Sequence, residues 1–288
     1  MVYVVMAVRN RLQYTLECLK SFSKQTYKDI EITIYDSGST DGTYETISKI
    51  YPGIKLFKGD LNVWDNPGLS LCIDYVKSIA QPGDYILVQN DDTVMDPDFV
   101  QTLVTTSKSY NRSIVGAITK SKNTGKVIFH VSKLIKHLYQ HIILTGDVPE
   151  VIENVPTLPT RGTIFPIEVF HKIGNFSKLF PHYGGDNDLT CRAKKAGFKL
   201  LVSTKAVSYS QDDNKNMSWT IKHKEKKTFK DVWNLFTSKR SSANLYYTSL
   251  FIILDIPFPH NIFGLFRIWA YAIKFFFVDY LYKSVIKK

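Results

Sequence analysis

The stretch Tyr85-Ile86-Leu87-Val88-Gln89-Asn90-Asp91-Asp92-Thr93 decides how this chain of 288 residues is read. An apolar, branched run follows Pro82-Gly83 and stops at Asn90, Asp91 and Asp92. Such a run predicts a buried strand, and carboxylates at its carboxyl end stand where open α/β sheets place their ligands. Adjacent uncompensated carboxylates repel where water is partly excluded. A hard divalent cation relieves that repulsion, and Mg²⁺ or Mn²⁺ takes oxygen ligands that substrate phosphates complete. The alternative is a strand end whose solvated acids precede a helix start at Met95-Asp96-Pro97-Asp98.

Upstream of this stretch, apolar runs predict strands over 2–8, 30–35 and 54–57, and helical spacings predict helices over 15–22, 43–50 and 69–79. Asp41 stands where it would cap the second of these helices. Downstream the pattern predicts a helix over 98–110, a strand over 114–118 and a hairpin turn at 122–126. It then predicts a strand over 158–165, helices over 169–174 and 186–197, and a last strand over 198–207. Residues 120–155 carry little legible pattern. The alternation of strand and helix predicts an α/β fold, a doubly wound, mostly parallel sheet with flanking helices. A polar, lysine-rich segment over 210–230 marks a boundary between a body, 1–215, and a basic, aromatic helical tail, 216–288.

Parallel strands bring their carboxyl ends to one edge, so their polar ends converge on one crevice. Strand one contributes Ala7, Val8, Arg9 and Asn10, strand two Asp36, Ser39 and Asp41, and strand four Asn90, Asp91 and Asp92. Asp36 can accept from a base N–H or a ribose hydroxyl. No G-x-G-x-x-G follows a strand and no P-loop is present, which argues against dinucleotide and P-loop nucleotide sites. Several carboxylates with few backbone phosphate cradles suit a metal-bridged diphosphate instead. Arg161-Gly162-Thr163 offers a guanidinium to phosphate or acceptor, or else a surface ion pair.

The net charge of +11 is uneven. Residues 1–198 hold 22 basic and 20 acidic side chains, whereas 199–288 hold 15 basic and 6 acidic. Long apolar runs beside that charge, over 245–257 and 262–282, point to lipid headgroups as the anionic partner. No nucleic-acid-binding motif is present. Arg267, Lys274 and Asp279 argue against a span and for interfacial helices, with a dimer interface as the alternative. Cys18, Cys72 and Cys191 fit no zinc or disulfide pattern, and no signal peptide is visible, so a reducing cytosolic setting is expected.

Four segments carry a resemblance. They are Val5-Met6-Ala7-Val8-Arg9-Asn10-Arg11, Ile34-Tyr35-Asp36-Ser37-Gly38-Ser39-Thr40-Asp41-Gly42-Thr43, Gln89-Asn90-Asp91-Asp92-Thr93, and His182-Tyr183-Gly184-Gly185-Asp186-Asn187-Asp188-Leu189 with Arg192 and Gly197. In this order the chain resembles the family 2 glycosyltransferases, with the fold called GT-A, over roughly residues 2–210. The resemblance implies that Asp36 contacts the nucleotide base, that Asp92 holds a metal with Asp91 in support, and that Asp186 is the catalytic base. His182 is an alternative base, with Asp188 and Arg192 as supporting residues. A base at a helix start feels a dipole that lowers its pKa, so burial or Asp188 has to offset that.

The segment Lys58-Gly59-Asp60 through Trp64, with Leu71-Cys72-Ile73, is similar to the rhamnosyltransferase-like and capsule-type branch. That likeness makes Asp60, Trp64, Ser70, Arg161 and Gly162 candidates for donor or acceptor contacts. The chain departs from the pattern at Ser70, where the branch often has asparagine, at Gly185, where many members have glutamate, and at Ser208-Tyr209, where many have histidine. The resemblance implies inverting, Mn²⁺- or Mg²⁺-dependent transfer from a UDP- or dTDP-sugar to a saccharide, polyprenyl-linked, in bacterial capsule or O-antigen synthesis. It also implies a cytoplasmic enzyme attached peripherally to the inner face of the cell membrane. A sugar nucleotidyltransferase and a non-catalytic nucleotide-sugar-binding scaffold are the rival classes; the first usually has a glycine-rich loop after strand one, and here no glycine precedes Gly38.

Overall fold

The computed structural model describes residues 1–60, 65–129, 131–210 and 217–286. Four parallel strands open the chain: β1 (Val2–Val8), β2 (Ile30–Asp36), β3 (Lys55–Lys58) and β4 (Tyr85–Val88). Between them run α1 (Leu12–Ser23), α2 (Thr43–Ile50) and α3 (Asp65–Ile79). β1 lies between β2 and β4, with Val8 level with Asp36 and Val5 level with Val88. Because β4 stops at the level of Val5, Asn90 to Asp92 continue alongside the end of β1.

The second half is less regular. β5 (Thr93–Met95), α4 (Phe99–Ser109), β6 (Ile114–Ser121) and β7 (Val127–Phe129) come next. β6 and β7 form the hairpin expected around 122–126, with Gly125 at a positive φ of 67° in the turn. A separate hairpin, β8 (Val131–Ile135) with β9 (Leu138–Ile142), stands off the main sheet. Then come β10 (Val151–Ile152), β11 (Thr163–Pro166), α5 (Ile167–Ile173), α6 (Gly185–Lys195) and β12 (Leu200–Ser210). The main sheet runs β10-β12-β6-β11-β4-β1-β2-β3. β12 is parallel to β6, while β11 is inserted antiparallel between β4 and β6. The strand expected over 158–165 is therefore shorter, starting at Thr163.

Period-two alternation divides β1 between two cores. Tyr3 and Val5 pack with α3, α5 and α6 through Ile73, Phe170 and Leu189. Val2, Val4, Met6 and Val8 pack with α1, α2 and α4 through Leu19, Ile47 and Leu103. The sheet is thus covered on both faces, and its carboxyl edge is left for chemistry. Beyond residue 216 lie α7 (Met217–His223), α8 (Phe229–Thr237), α9 (Leu245–Asp255), α10 (His260–Lys274) and a π-helical stretch, Phe275–Ile286. α7, α8 and the π-helical stretch share a small core of Ile221, Val232, Leu235 and Phe275. α9 is tied to α6 by Lys195, whose Nζ lies 2.8 Å from Asp255.

Candidate active site

Asp91 and Asp92 are 4 % and 3 % exposed. Ionised carboxylates at that depth need partners. Arg11, at the start of α1, supplies one: its Nη1 lies 3.4 Å from Asp91 Oδ1 and 3.1 Å from Asp92 Oδ2. Thr15 Oγ1 donates to Asp91 Oδ2 at 3.2 Å. Arg161 Nη2 stands 3.8 Å from Asp92 Oδ2, and Asn90, with its amide oxygen turned to Arg161, accepts from Nε and Nη2 at 3.1 Å. Even so, burial pushes the Asp91 carboxyl up to about 7; Arg11 opposes that rise and Asp92 adds to it.

Asp92 Oδ1 is buried with no hydrogen-bond partner. An orphaned carboxylate oxygen beside a second carboxylate fits an oxygen-preferring cation as two of its ligands. Among the described residues no cluster of three His, Cys, Asp or Glu side chains completes such a site. Diphosphate oxygens and water would have to supply the other ligands. Ser208 is not one of them, because its Oγ is buried within the sheet beside Thr119 Oγ1 at 3.3 Å. Tyr209 points instead to Asp96, donating at 3.4 Å.

Arg11 and a cation would compete for the same two carboxylates. Arg11→Ala should therefore lower the melting temperature of metal-free protein, at a cost of about 1–2 kcal/mol. That is the low part of the range for an uncovered buried group, because the guanidinium is 40 % exposed and screened. Mn²⁺ should raise the melting temperature more in the variant than in the parent, as read by scanning fluorimetry. An equal Mn²⁺ shift in both would separate Arg11 from the cation site.

Asp36 is buried at the end of β2, its Oδ1 accepting the Ser39 N–H at 2.6 Å and its Oδ2 without a partner. The loop around it is knitted to β1. Val8 offers its carbonyl to the Ser37 N–H, Ser39 Oγ accepts from the Asn10 N–H, and Asn10 Oδ1 accepts from the Thr40 N–H. The N-cap of α2 is Gly42, and Asp41, expected to cap that helix, stands one residue before it and serves two helices. Its Oδ2 accepts from the Leu12 N–H at 3.0 Å and its Oδ1 from the Thr43 N–H at 3.1 Å, so one carboxylate serves the first turns of α1 and α2. Burial works to raise its pKa, but the bonds from Thr43 and Leu12 outweigh it and hold the carboxyl below its usual range. Ser39 and Asp41 thus shape the loop, leaving Asp36 Oδ2 as the open acceptor. Ala7 is half-buried, and Arg9 makes no hydrogen bond or ion pair among the described residues.

Asp186 lies in the first turn of α6. Its side chain is partly exposed, yet the protein crowded around it raises the carboxyl above its usual range. The Asn187 N–H, the His141 charge from β9 and the Thr160 N–H each act against that rise without cancelling it. Burial thereby overcomes the helix dipole, as a base at this position requires. Asp188 is not the source of the offset. It is buried and bound to Arg192, whose Nε lies 2.8 Å away, while Arg192 also donates to the Ile173 and Asn175 carbonyls at 2.9 Å. These two residues anchor α6 to the end of α5. Thr160 acts on Asp186 and its neighbour Arg161 reaches Asp92, so one loop touches both acid sites.

Gly162, next in that loop, donates its N–H to Val88 at 3.0 Å and accepts from Ala117 at 3.1 Å, splicing β11 into the sheet. Ser70 offers its carbonyl to Asn175 at 2.8 Å. Asp60 is exposed just past β3 and acts on the Tyr35 hydroxyl. Trp64 lies outside the described residues. His182 contributes its carbonyl to buried Asn66, whose Nδ2 also donates to Phe180, at 2.8 and 2.7 Å. A Cβ at residue 185 would stand 2.2 Å from that Nδ2 and 3.2 Å from the Phe180 carbonyl, which accounts for glycine there. Gly185→Ala should cost about 1–3 kcal/mol by overpacking, read as a lower urea midpoint. An unchanged midpoint would mean that Asn66 moves freely.

Arg11, Asn66, Thr160 and His141 are the residues that sequence reasoning passed over as site components. Arg11 was quoted within a motif, and Asn66 sits in Asp65-Asn66-Pro67-Gly68, which reads as a turn. Thr160 and His141 carry no local signal.

A mostly parallel sheet with an acid pair at the end of its fourth strand, and a third carboxylate across one loop, defines the GT-A class of fold. Residues 3–174 match glycosyl transferase family 2, and the chain belongs to that family. An uncharacterized glycosyltransferase of Rickettsia bellii is 26% identical over 261 residues, covering 85% of this chain and 34% of that protein. Glycosyltransferase GlyA of Streptococcus pneumoniae is 25% identical over 185 residues, 62% of this chain and 24% of that one. The chain therefore spans about a third and a quarter of these two relatives. Among solved structures, S. aureus TarS 1-349 in complex with UDP-GlcNAc superposes with a TM-score of 0.59 at 14% identity, covering 97% of this chain and 92% of that one.

Proposed function

We propose that this chain transfers a sugar from a UDP- or dTDP-sugar to a saccharide hydroxyl, with inversion at the anomeric carbon and a divalent cation at the diphosphate. The observation that supports this most is the loop in which Thr160 acts on Asp186 and Arg161 reaches Asp92. It joins the acid pair suited to a diphosphate to the carboxylate suited to a proton. Asp36 would accept from the nucleotide base through its unpartnered Oδ2. Asp186 would take the proton of the acceptor hydroxyl, and its raised pKa makes it a stronger base than a surface aspartate. Arg161 and Arg9 offer guanidinium groups to phosphate oxygens. Asp92 and Asp91 would hold the cation, which supplies charge compensation on the departing nucleoside diphosphate.

The S. aureus protein of the same fold was solved with UDP-GlcNAc, which favours UDP as the nucleotide here. The segment around Lys58-Gly59-Asp60 favours the rhamnosyltransferase-like, capsule or O-antigen branch, and the basic, apolar tail favours a polyprenyl-linked acceptor at the cytoplasmic side of a membrane. The direct test incubates the protein with a panel of UDP- and dTDP-sugars and Mn²⁺ and measures nucleoside diphosphate release. Release of diphosphate from one donor, rising with saccharide acceptor, is expected. Pyrophosphate formation from a sugar phosphate and a nucleoside triphosphate would assign a nucleotidyltransferase. Tight donor binding without release would assign a scaffold.

A further inference from the structure

The 24-residue helix from His260 to Lys283, in which an 18-residue window has a mean hydropathy of 1.4, is long and apolar enough to cross a membrane. Its inner face, however, is already committed. Gly264 lies against the β8–β9 turn so closely that a Cβ would stand 2.9 Å from the His137 carbonyl oxygen. Arg267 Nη1 donates to the carbonyls of Ile135 and Lys136 at 3.3 and 2.8 Å. His137 and His260 meet at 2.9 Å between their Nδ1 atoms. Ala272 and Phe275 are buried. A helix bolted to a polar hairpin along one side cannot be surrounded by lipid.

The outer face has no such cover. Ile262, Phe266, Trp269, Ile273 and Phe277 are all exposed, Phe266 by 72 %. Their steps of four, three, four and four residues place them on one stripe, roughly 22 Å long at 1.5 Å per residue. Arg267, which spoiled the charge pattern in sequence, is turned inward to the hairpin. Exposed Lys274 follows Ile273 at the edge of the stripe, whereas Lys222 and Lys227, over the rings of Tyr271 and Phe275 at 5.5 and 5.8 Å, stand on the side that carries Gly264. A continuous apolar stripe of this size marks an interaction surface.

We propose that this stripe is a lipid-docking surface, with α10 lying in the plane of an anionic bilayer and Lys274 at the level of its headgroups. Charge complementarity selects this occupant, since residues 199–288 hold 15 basic and 6 acidic side chains and exposed Lys274 edges the apolar stripe. Trp269, within the stripe, is a residue type that settles at headgroup level. The inference stands apart from the catalytic reading, which nucleotide binding tests separately.

The experiment uses the full chain in flotation with vesicles of phosphatidylcholine, alone or mixed with phosphatidylglycerol. Binding to the anionic vesicles is expected, with partial release at high salt. Phe266→Ser, Trp269→Ser and Phe277→Ser combined should weaken it by at least tenfold, since each buried ring contributes about a factor of ten. Lys274→Glu should lower binding to anionic vesicles and reduce its salt dependence. All four positions are exposed, so the melting temperature should hold, and both variants should bind UDP as the parent does. A parent that stays off anionic vesicles overturns the proposal, as does a triple variant that binds them equally well. A concentration-dependent dimer that the triple variant abolishes also overturns it, by assigning the face to a second copy of the chain.

Discussion

Asp186→Asn should lower turnover by about 10²–10⁴-fold, the scale of a positioned general base, while donor binding stays near that of the parent. The change is isosteric and keeps an oxygen for the Asn187 N–H that Asp186 Oδ1 accepts at 2.9 Å. What it removes is the charge that draws a proton from the acceptor. The pH profile gives a second readout. A base must be ionised, so activity falls as pH drops through its pKa, and burial sets that pKa above the ordinary aspartate range. The acid limb of kcat/KM should therefore lie above about 4, the unperturbed value. The same shift has a stability sign. The folded state binds the proton more tightly than the unfolded chain, so this group's contribution to stability falls as pH rises from about 4 through the raised value. Near-normal turnover in Asp186→Asn, alongside an inactive His182→Ala, would transfer the role to His182.

Asp92→Asn should remove the divalent-dependent part of nucleoside diphosphate affinity. In calorimetry with UDP, the parent should bind more tightly with Mn²⁺ than with EDTA, and the variant should lose at least about 100-fold of the Mn²⁺-dependent affinity. Even outer-shell changes at metal sites reach that size. Stability should move the other way or not at all, because Asp92 Oδ1 is a buried charge-bearing oxygen with no partner in the metal-free protein. A variant that loses cation-dependent binding while holding its melting temperature would separate a ligand role from a structural one. Equal UDP affinity with Mn²⁺ and with EDTA in the parent would remove the cation from this site.

The first half of the fold was legible because its strands are short apolar runs buried on both faces, with turn residues between them. β1 over Val2–Val8 and α2 over Thr43–Ile50 fall where the sequence places them. The β8–β9 hairpin was not legible: Lys133, Leu134, Ile135, Lys136 and His137 give neither a period of two nor one of 3.6, since both of its faces are partly exposed. β11 was half legible, because periodicity finds an apolar run but cannot tell which strands it separates. In the site, Asp36, Asp91, Asp92 and Asp186 stood out as acids at element ends. Their partners did not, since Arg11 meets Asp91 across 80 positions of sequence. The tail misled through Arg267, whose inward turn depends on hairpin carbonyls more than 130 residues away.

The antiparallel insertion of β11 also constrains the order in which this protein comes into being. Thr163 pairs with Val88 on one side and Gly116 on the other, so the two halves of the sheet have no shared border until residues 163–166 have left the ribosome. Until then β4 and β6 are both open edges, rich in Ile, Leu and Val and able to pair with other nascent chains. A fragment ending before Thr163 should accumulate as aggregate, whereas one carrying the chain past Ile173 holds the strand that closes the gap.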